Sequence, residues 1–215
     1  MSPQDTPARG RFIALEGVDG AGTTTQLDRL AAHFGSRLRP TREPSTGPIG
    51  REIRRHLAGP VDGLQLDPAA LALLFAADRL DHLRREVEPQ LARGVHVVTD
   101  RYLLSSLAYQ TLEVAREHVC RFNALATPPD LTIFIEVPIE ISEARRQKRG
   151  AADEIFEKRA LQERVRTTYL EEVLLLRSVG EPVCMIDGDA PVDEVFRAVL
   201  EAVESCIAAP PRQSL

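Results

Sequence analysis

A chain of 215 residues, 43% of them hydrophobic, is long enough for one α/β domain with a buried core and too apolar to be disordered throughout. Its formal charge of −5 argues against general binding of nucleic-acid polymers, which favours a basic surface, yet leaves room for a local anion pocket built from a few arginines. Cys120, Cys184 and Cys206 lack metal-like spacing and fit a reducing compartment, and no apolar stretch approaches the roughly 18–20 residues of a membrane span, so a cytoplasmic protein with no membrane partner is expected.

Residues 1–10 are polar and rich in Pro and Gly, and read as a flexible leader. Residues 11–16 form an apolar run that predicts a buried strand, and a helix follows over roughly 23–34. Residues 38–43 suit a short second strand despite Pro40. Asp67-Pro68 is a helix start, a capping carboxylate before a first-turn proline, and that helix is expected to run to about residue 91 with a bend or stop near Pro89. Strands are expected at 95–99, 131–137 and 183–186, and a final amphipathic helix at 191–207. Residues 208–215 read as a flexible tail, which leaves one domain over 11–207. The charge-dense stretch 145–159, with Gly150 inside it, reads as a mobile lid. Strands alternating with helices predict a mostly parallel sheet of about five strands with helices on both faces, an α/β/α sandwich whose ligands gather at the carboxyl ends of the strands.

The most informative stretch follows the first strand. Gly17-Val18-Asp19-Gly20-Ala21-Gly22-Thr23-Thr24-Thr25 has the spacing of a phosphate-binding P-loop, in which Gly, four residues, Gly, Lys and Ser or Thr succeed one another. Gly17 and Gly22 fit, and Thr24 fits the hydroxyl position that meets Mg²⁺; the lysine position holds Thr23. The competing reading is an ordinary glycine-rich turn. Three carboxylates are candidates to hold a metal or face the phosphates: Asp100 at the end of an apolar strand, Glu136 on a neighbouring strand, and Asp19 in the loop itself. The five histidines form no constellation, and Arg54-Arg55 and Arg84-Arg85 read as solvated helix faces.

Further segments then line up in order: Thr41-Arg-Glu-Pro44, Leu74-Phe-Ala-Ala-Asp-Arg79, Asp100-Arg-Tyr102 with Ser105-Ser106 and Ala108-Tyr-Gln110, and Pro129-Asp-Leu131 ahead of Arg145-Arg-Gln-Lys-Arg-Gly150. From about Phe12 to about Val203 the chain resembles the thymidylate kinase family of P-loop nucleoside monophosphate kinases. The resemblance implies transfer of the γ-phosphoryl group of ATP to dTMP, with Mg²⁺, in a cytoplasmic homodimer. It implies that residues 17–25 cradle ATP and that Thr24 and Asp100 serve the metal. Phe75 would stack on the thymine ring, and Arg79, one turn later on the same face, would reach the base edge or the phosphate. Arg101 would clamp the acceptor phosphate, Ser106, Tyr109 and Gln110 would read base and sugar, and Glu43 would sit beside sugar and phosphate. Without the resemblance Phe75 reads as core, Arg79 as a surface ion-pair partner and Tyr109 as a packing residue.

The family carries lysine where this chain has Thr23. A unit charge at ~4 Å and an effective dielectric of ~20 is worth about 4 kcal/mol. Losing it uncompensated slows transfer roughly a thousandfold. Arg145, Arg146 and Arg149, with Lys148, sit on the lid-like segment, and Arg149 or Arg145 is the expected substitute; together with Asp19, Asp100 and Arg101 these two complete the expected catalytic set. Two other readings stay open: a catalytically weakened, regulatory nucleotide-binding homologue, and a kinase for a different nucleoside monophosphate.

Overall fold

The computed structural model describes residues 8–148 and 155–210, and the side chains from residue 159 onward in the second span. Arg149 and the rest of 149–154 within the expected lid, most of the expected leader and most of the expected tail lie outside the described residues.

Among the described residues five strands form one all-parallel sheet: β1 (Phe12–Glu16), β2 (Leu38–Arg42), β3 (His96–Asp100), β4 (Leu131–Glu136) and β5 (Val183–Asp187), in the order β2-β3-β1-β4-β5. The central strand β1 is completely buried, as both-face coverage requires. Its alternate residues serve opposite faces. Ile13 and Leu15 join a cluster with Leu27, Leu30 and Phe34 of helix α1 (Thr23–Phe34) and with Val195, Val199 and Val203 of α9 (Val192–Ala208). Phe12 and Ala14 face Leu83, Val87, Leu91 and Tyr102 instead.

The remaining α-helices among the described residues are α2 (Pro48–Leu57), α3 (Pro68–His82), α4 (Glu88–Ala92), α5 (Leu103–Gln110), α6 (Arg116–Phe122), α7 (Ile139–Gln147) and α8 (Ile155–Ser178). The expected cap of α3 is present: Asp67 Oδ1 accepts from the N–H groups of Ala69 and Ala70 at 2.9 and 3.2 Å. The helix expected to bend near Pro89 instead widens just before it. Leu83–Val87 is a π-helical segment, with the Glu88 N–H donating to the carbonyl of Leu83, and α4 resumes with Pro89 in its first turn. Pro89 has no N–H to continue the α-helical ladder, so the register changes where the ladder would fail. The strands otherwise fall within a residue of the expected bounds. Glu16, Asp100, Glu136 and Asp187 all terminate strands at the same edge of the sheet, and Glu43 follows β2 directly.

Candidate active site

The loop after β1 is built by close packing. A Cβ on Gly17 would lie 2.7 Å from Ala21 Cβ and 2.9 Å from the Ile135 carbonyl. Gly20 has φ +94°, and a Cβ there would lie 2.4 Å from the Ser142 carbonyl of α7. The loop therefore tolerates no side chain at either position. Gly22, at φ 100°, precedes α1, and among the described residues no side chain caps that helix. Its first N–H groups and its dipole face the loop and suit a phosphate.

Thr24 and Asp100 come together as the spacing anticipated. Thr24 Oγ1 donates to Asp100 Oδ2 at 2.6 Å, and Asp100 Oδ1 is buried without a hydrogen-bond partner. Glu136 is taken by Arg166, whose Nε donates to it at 2.7 Å, so Asp100 is the carboxylate left facing the loop. One hydroxyl and one carboxylate with a free oxygen are the protein donors Mg²⁺ takes when substrate phosphates and waters supply the rest. No group of three or more His, Cys, Asp or Glu among the described residues makes an all-protein metal cage.

Arg101 follows Asp100 with φ +73°, a left-handed conformation that turns its side chain toward the loop. Its guanidinium donates to Asp19 Oδ1 at 2.5 Å, and to Ser105 Oγ and the Tyr169 hydroxyl at 3.3 Å each. It also lies 5.2 Å from the ring centre of Tyr109. Burial works to discharge Arg101, but Tyr109, Tyr169, Asp19 and Asp100 more than offset it and hold the cation charged. The Tyr109 hydroxyl is buried, has no hydrogen-bond partner and is pushed toward its neutral form by burial.

A second charge centre sits behind the acceptor side. Arg79 is 1% exposed, far from the surface ion-pair partner its sequence position alone suggests. It pairs with Glu43 at 2.8 Å and donates to the Tyr102 carbonyl at 3.1 Å and Ser106 Oγ at 3.0 Å, and it also bonds Asn123 Oδ1. Glu43 in turn meets His82 Nδ1 at 3.2 Å, and His82 Nε2 meets Thr41 Oγ1 at 2.7 Å. Asp78, next to Arg79, receives the N–H and hydroxyl of Ser45, both at 2.6 Å, which fixes the turn after Pro44.

One cleft of about 830 Å³ joins the two centres, lined among others by Asp19, Glu43, Phe75, Arg79, Tyr109 and Gln110. Arg101 and Ser106 line it too, so all the expected acceptor-side residues share one space. Arg145 does not enter it. That side chain bridges the loop to the turn after β5, donating to the carbonyls of Ala21 at 3.4 Å and Gly188 at 2.9 Å.

Several contributors went unread in the sequence. Glu16 is fully buried; it accepts from the N–H groups of Tyr102 and Ser105 at 2.8 and 3.2 Å, from Ser105 Oγ at 2.6 Å and from the Tyr169 hydroxyl at 3.3 Å. Burial raises its pKa, and the Ser105 and Tyr102 donors with the Arg101 charge offset that only in part. A carboxylate ending an otherwise apolar strand immediately before the loop was the available signal. Gln162 flanks Asp19, at 3.4 Å from its N–H and from its carboxylate. Arg54, read as solvated, is exposed but donates to the Ser45 carbonyl at 2.6 Å, and so braces the Ser45 turn.

A glycine loop on a helix N-terminus, a hydroxyl–carboxylate pair beside it and a guanidinium-lined cleft at the carboxyl edge of a parallel sheet define a P-loop phosphotransferase. A thymidylate kinase family profile matches residues 15–199. The chain is 40% identical over 197 residues to a probable thymidylate kinase of Pyrobaculum aerophilum, covering 91% of this chain and 97% of that one. It is 37% identical to a probable thymidylate kinase of Pyrococcus abyssi, covering 91% and 97%. It is 34% identical to a thymidylate kinase of Thermosynechococcus vestitus, covering 94% and 89%. The chain belongs to the thymidylate kinase family.

Proposed function

We propose that this cleft transfers the γ-phosphoryl group of ATP to dTMP, giving ADP and dTDP for dTTP synthesis. Support comes from family membership and from one observation above all: a cleft that touches the phosphate loop at Asp19 extends to Phe75 and Arg79. An oxygen of the dTMP phosphate attacks the γ-phosphorus while the bond to the β-bridging oxygen breaks and ADP leaves. The acceptor is already an anion, so no strong base is required, and catalysis is alignment plus charge neutralisation.

In this reading the N–H groups of residues 17–25 hold the donor phosphates. Thr24 and Asp100 would hold Mg²⁺, which would supply positive charge to offset that of the donor phosphates. Arg101 carries five donors and spends three contacts within the protein, which leaves N–H groups for the acceptor phosphate. Asp19 steers that guanidinium. Phe75 stacks on the base, Tyr109 and Gln110 address sugar and base, and the unpartnered Tyr109 hydroxyl and Gln110 Oε1 are suited to polar edges. Arg79, Glu43 and Ser106 act together as a preformed wall; the buried Glu43–Arg79 pair fixes where the remaining contacts to dTMP fall. The resemblance further supports a homodimer and a cytoplasmic address; light scattering on the purified chain tests the first. Among the described residues no helix is long and apolar enough to cross a membrane.

Thr23 is the specific observation that favours the second reading, a weakened nucleotide-binding homologue. ADP release measured with ATP and each common nucleoside monophosphate, in wild type and Thr23→Lys, decides between them. Turnover selective for dTMP in wild type supports the kinase. Binding without turnover, rescued by lysine, supports the weakened homologue, and turnover with a different monophosphate reassigns the acceptor.

A further inference from the structure

Thr23 leaves the phosphate loop one positive charge short of its motif. Its side chain does not reach outward to compensate: Thr23 is 9% exposed, and its Cγ2 lies 3.5 Å from where a Cβ on Gly17 would stand. The charge must come from elsewhere or be missing.

Among the described residues, most cations around the loop are already engaged. Arg101 is held by Asp19, Ser105 and Tyr169. Arg145 is spent on the carbonyls of Ala21 and Gly188. Arg79 is enclosed by Glu43, Asn123, Tyr102 and Ser106. Arg166 is taken by Glu136, and Arg159 by Glu140, Glu143 and Glu163.

Arg146 is different in two independent respects. Its Nε is shielded from solvent and has no hydrogen-bond partner, a costly state for a charged donor. Its stem also lies on the loop: a Cβ built at Gly20 would be 3.2 Å from Arg146 Cγ, and the side chain lines the same cleft as Asp19, Arg101 and Gln162. Arg164 also lines the cleft, but it is exposed, on α8.

We propose that Arg146 replaces the missing loop lysine, setting its guanidinium against the donor's terminal phosphate oxygens from the α7 side of the loop. This rests on the kinase reading above and adds to it a residue and a role. A guanidinium suits the task because its planar fork can bridge two phosphate oxygens, whereas an ammonium acts as a point charge. As the γ-phosphorus leaves ADP for the dTMP oxygen, Arg146 neutralises charge on the β–γ bridge and the equatorial oxygens, the work of a loop lysine done from the flank.

The test is a double-mutant cycle between positions 23 and 146, with steady-state turnover on ATP and dTMP in wild type, Thr23→Lys, Arg146→Ala and the double variant. Arg146→Ala is expected to lower kcat about 100-fold, the scale of losing one charge-stabilising donor, with the KM for dTMP changed less than about threefold. Thr23→Lys is expected to restore at least about tenfold in the Arg146→Ala background and to add little in wild type. Arg164→Ala should show no such coupling. A kcat in Arg146→Ala within about twofold of wild type, or the same Thr23→Lys factor in both backgrounds, overturns the assignment. If wild type itself shows no dTMP-dependent ADP release, the kinase reading fails. Calorimetry with a non-hydrolysable ATP analogue then judges Arg146 alone: about tenfold weaker binding in Arg146→Ala keeps its place at the donor phosphates, and unchanged binding removes it.

Discussion

Arg79 and Glu43 show how much a single buried pair can carry. Both are almost inaccessible, and each satisfies the other at 2.8 Å. Removing Arg79 takes the guanidinium from a buried carboxylate that keeps only its contact with His82, so Arg79→Ala is expected to cost about 3–5 kcal/mol in urea unfolding and to raise the KM for dTMP. Glu16 makes a prediction of a different sign. Burial raises its folded pKa above the ordinary 4.5, so the folded protein holds that proton more tightly than the unfolded chain. Its contribution is therefore fully present below about 4.5 and is lost as pH rises toward the folded value. Wild-type stability measured relative to Glu16→Gln, which does not titrate, should decline with rising pH across that window and then level off. At this scale the sequence is readable where a residue type has one physical use. The glycines of the loop and the Thr24–Asp100 pair belong to that class. It is not readable where a side chain gains its role from distant neighbours: nothing local marks His82, whose partners Thr41 and Glu43 lie about forty residues away, and the run of lid cations does not say that Arg146 is the one without a hydrogen-bond partner at Nε.

At the scale of elements, boundaries followed local chemistry. Asp67 and Pro68 announce α3, and the cap they predict is the cap observed. Asp67→Ala should cost about 1 kcal/mol in thermal or urea unfolding, and the acceptor-side residues on α3 should keep their places in the folded protein. The π-helical turn at Leu83–Val87 was not anticipated, because a proline can end a helix, bend it or shift its ladder, and the choice rests on packing of Leu83 and Val87 against Phe12 and Ala14. The contact between the loop and α7 makes a sharper prediction. Gly20→Ala combines a positive φ with a Cβ 2.4 Å from the Ser142 carbonyl, so the loop must move off α7. ATP affinity by calorimetry should fall at least about tenfold, with dTMP affinity much less affected.

For the whole molecule, the ordered alternation of strand and helix was enough to give the α/β/α sandwich, since apolar runs bounded by helices have few other ways to be covered. The cleft that spans it was not legible as a shape, because it arises where loops from four different strands meet. Its occupancy should be visible as global stability. At dTMP near 100 times its Kd, the unfolding free energy should rise by about 2.7 kcal/mol, and Phe75→Ala should lose most of that gain at the same concentration.

The pairing order of the sheet has a consequence for biosynthesis. β1 emerges from the ribosome first, yet its neighbours are β3 and β4, translated long afterwards. Until His96–Asp100 and Leu131–Glu136 appear, its apolar segment has no edge to dock on, so the nascent polypeptide must wait with its stickiest stretch unsheltered. Completion of the central sheet is thereby tied to translation of β4, and chaperone demand should peak while residues between β1 and β4 are being made.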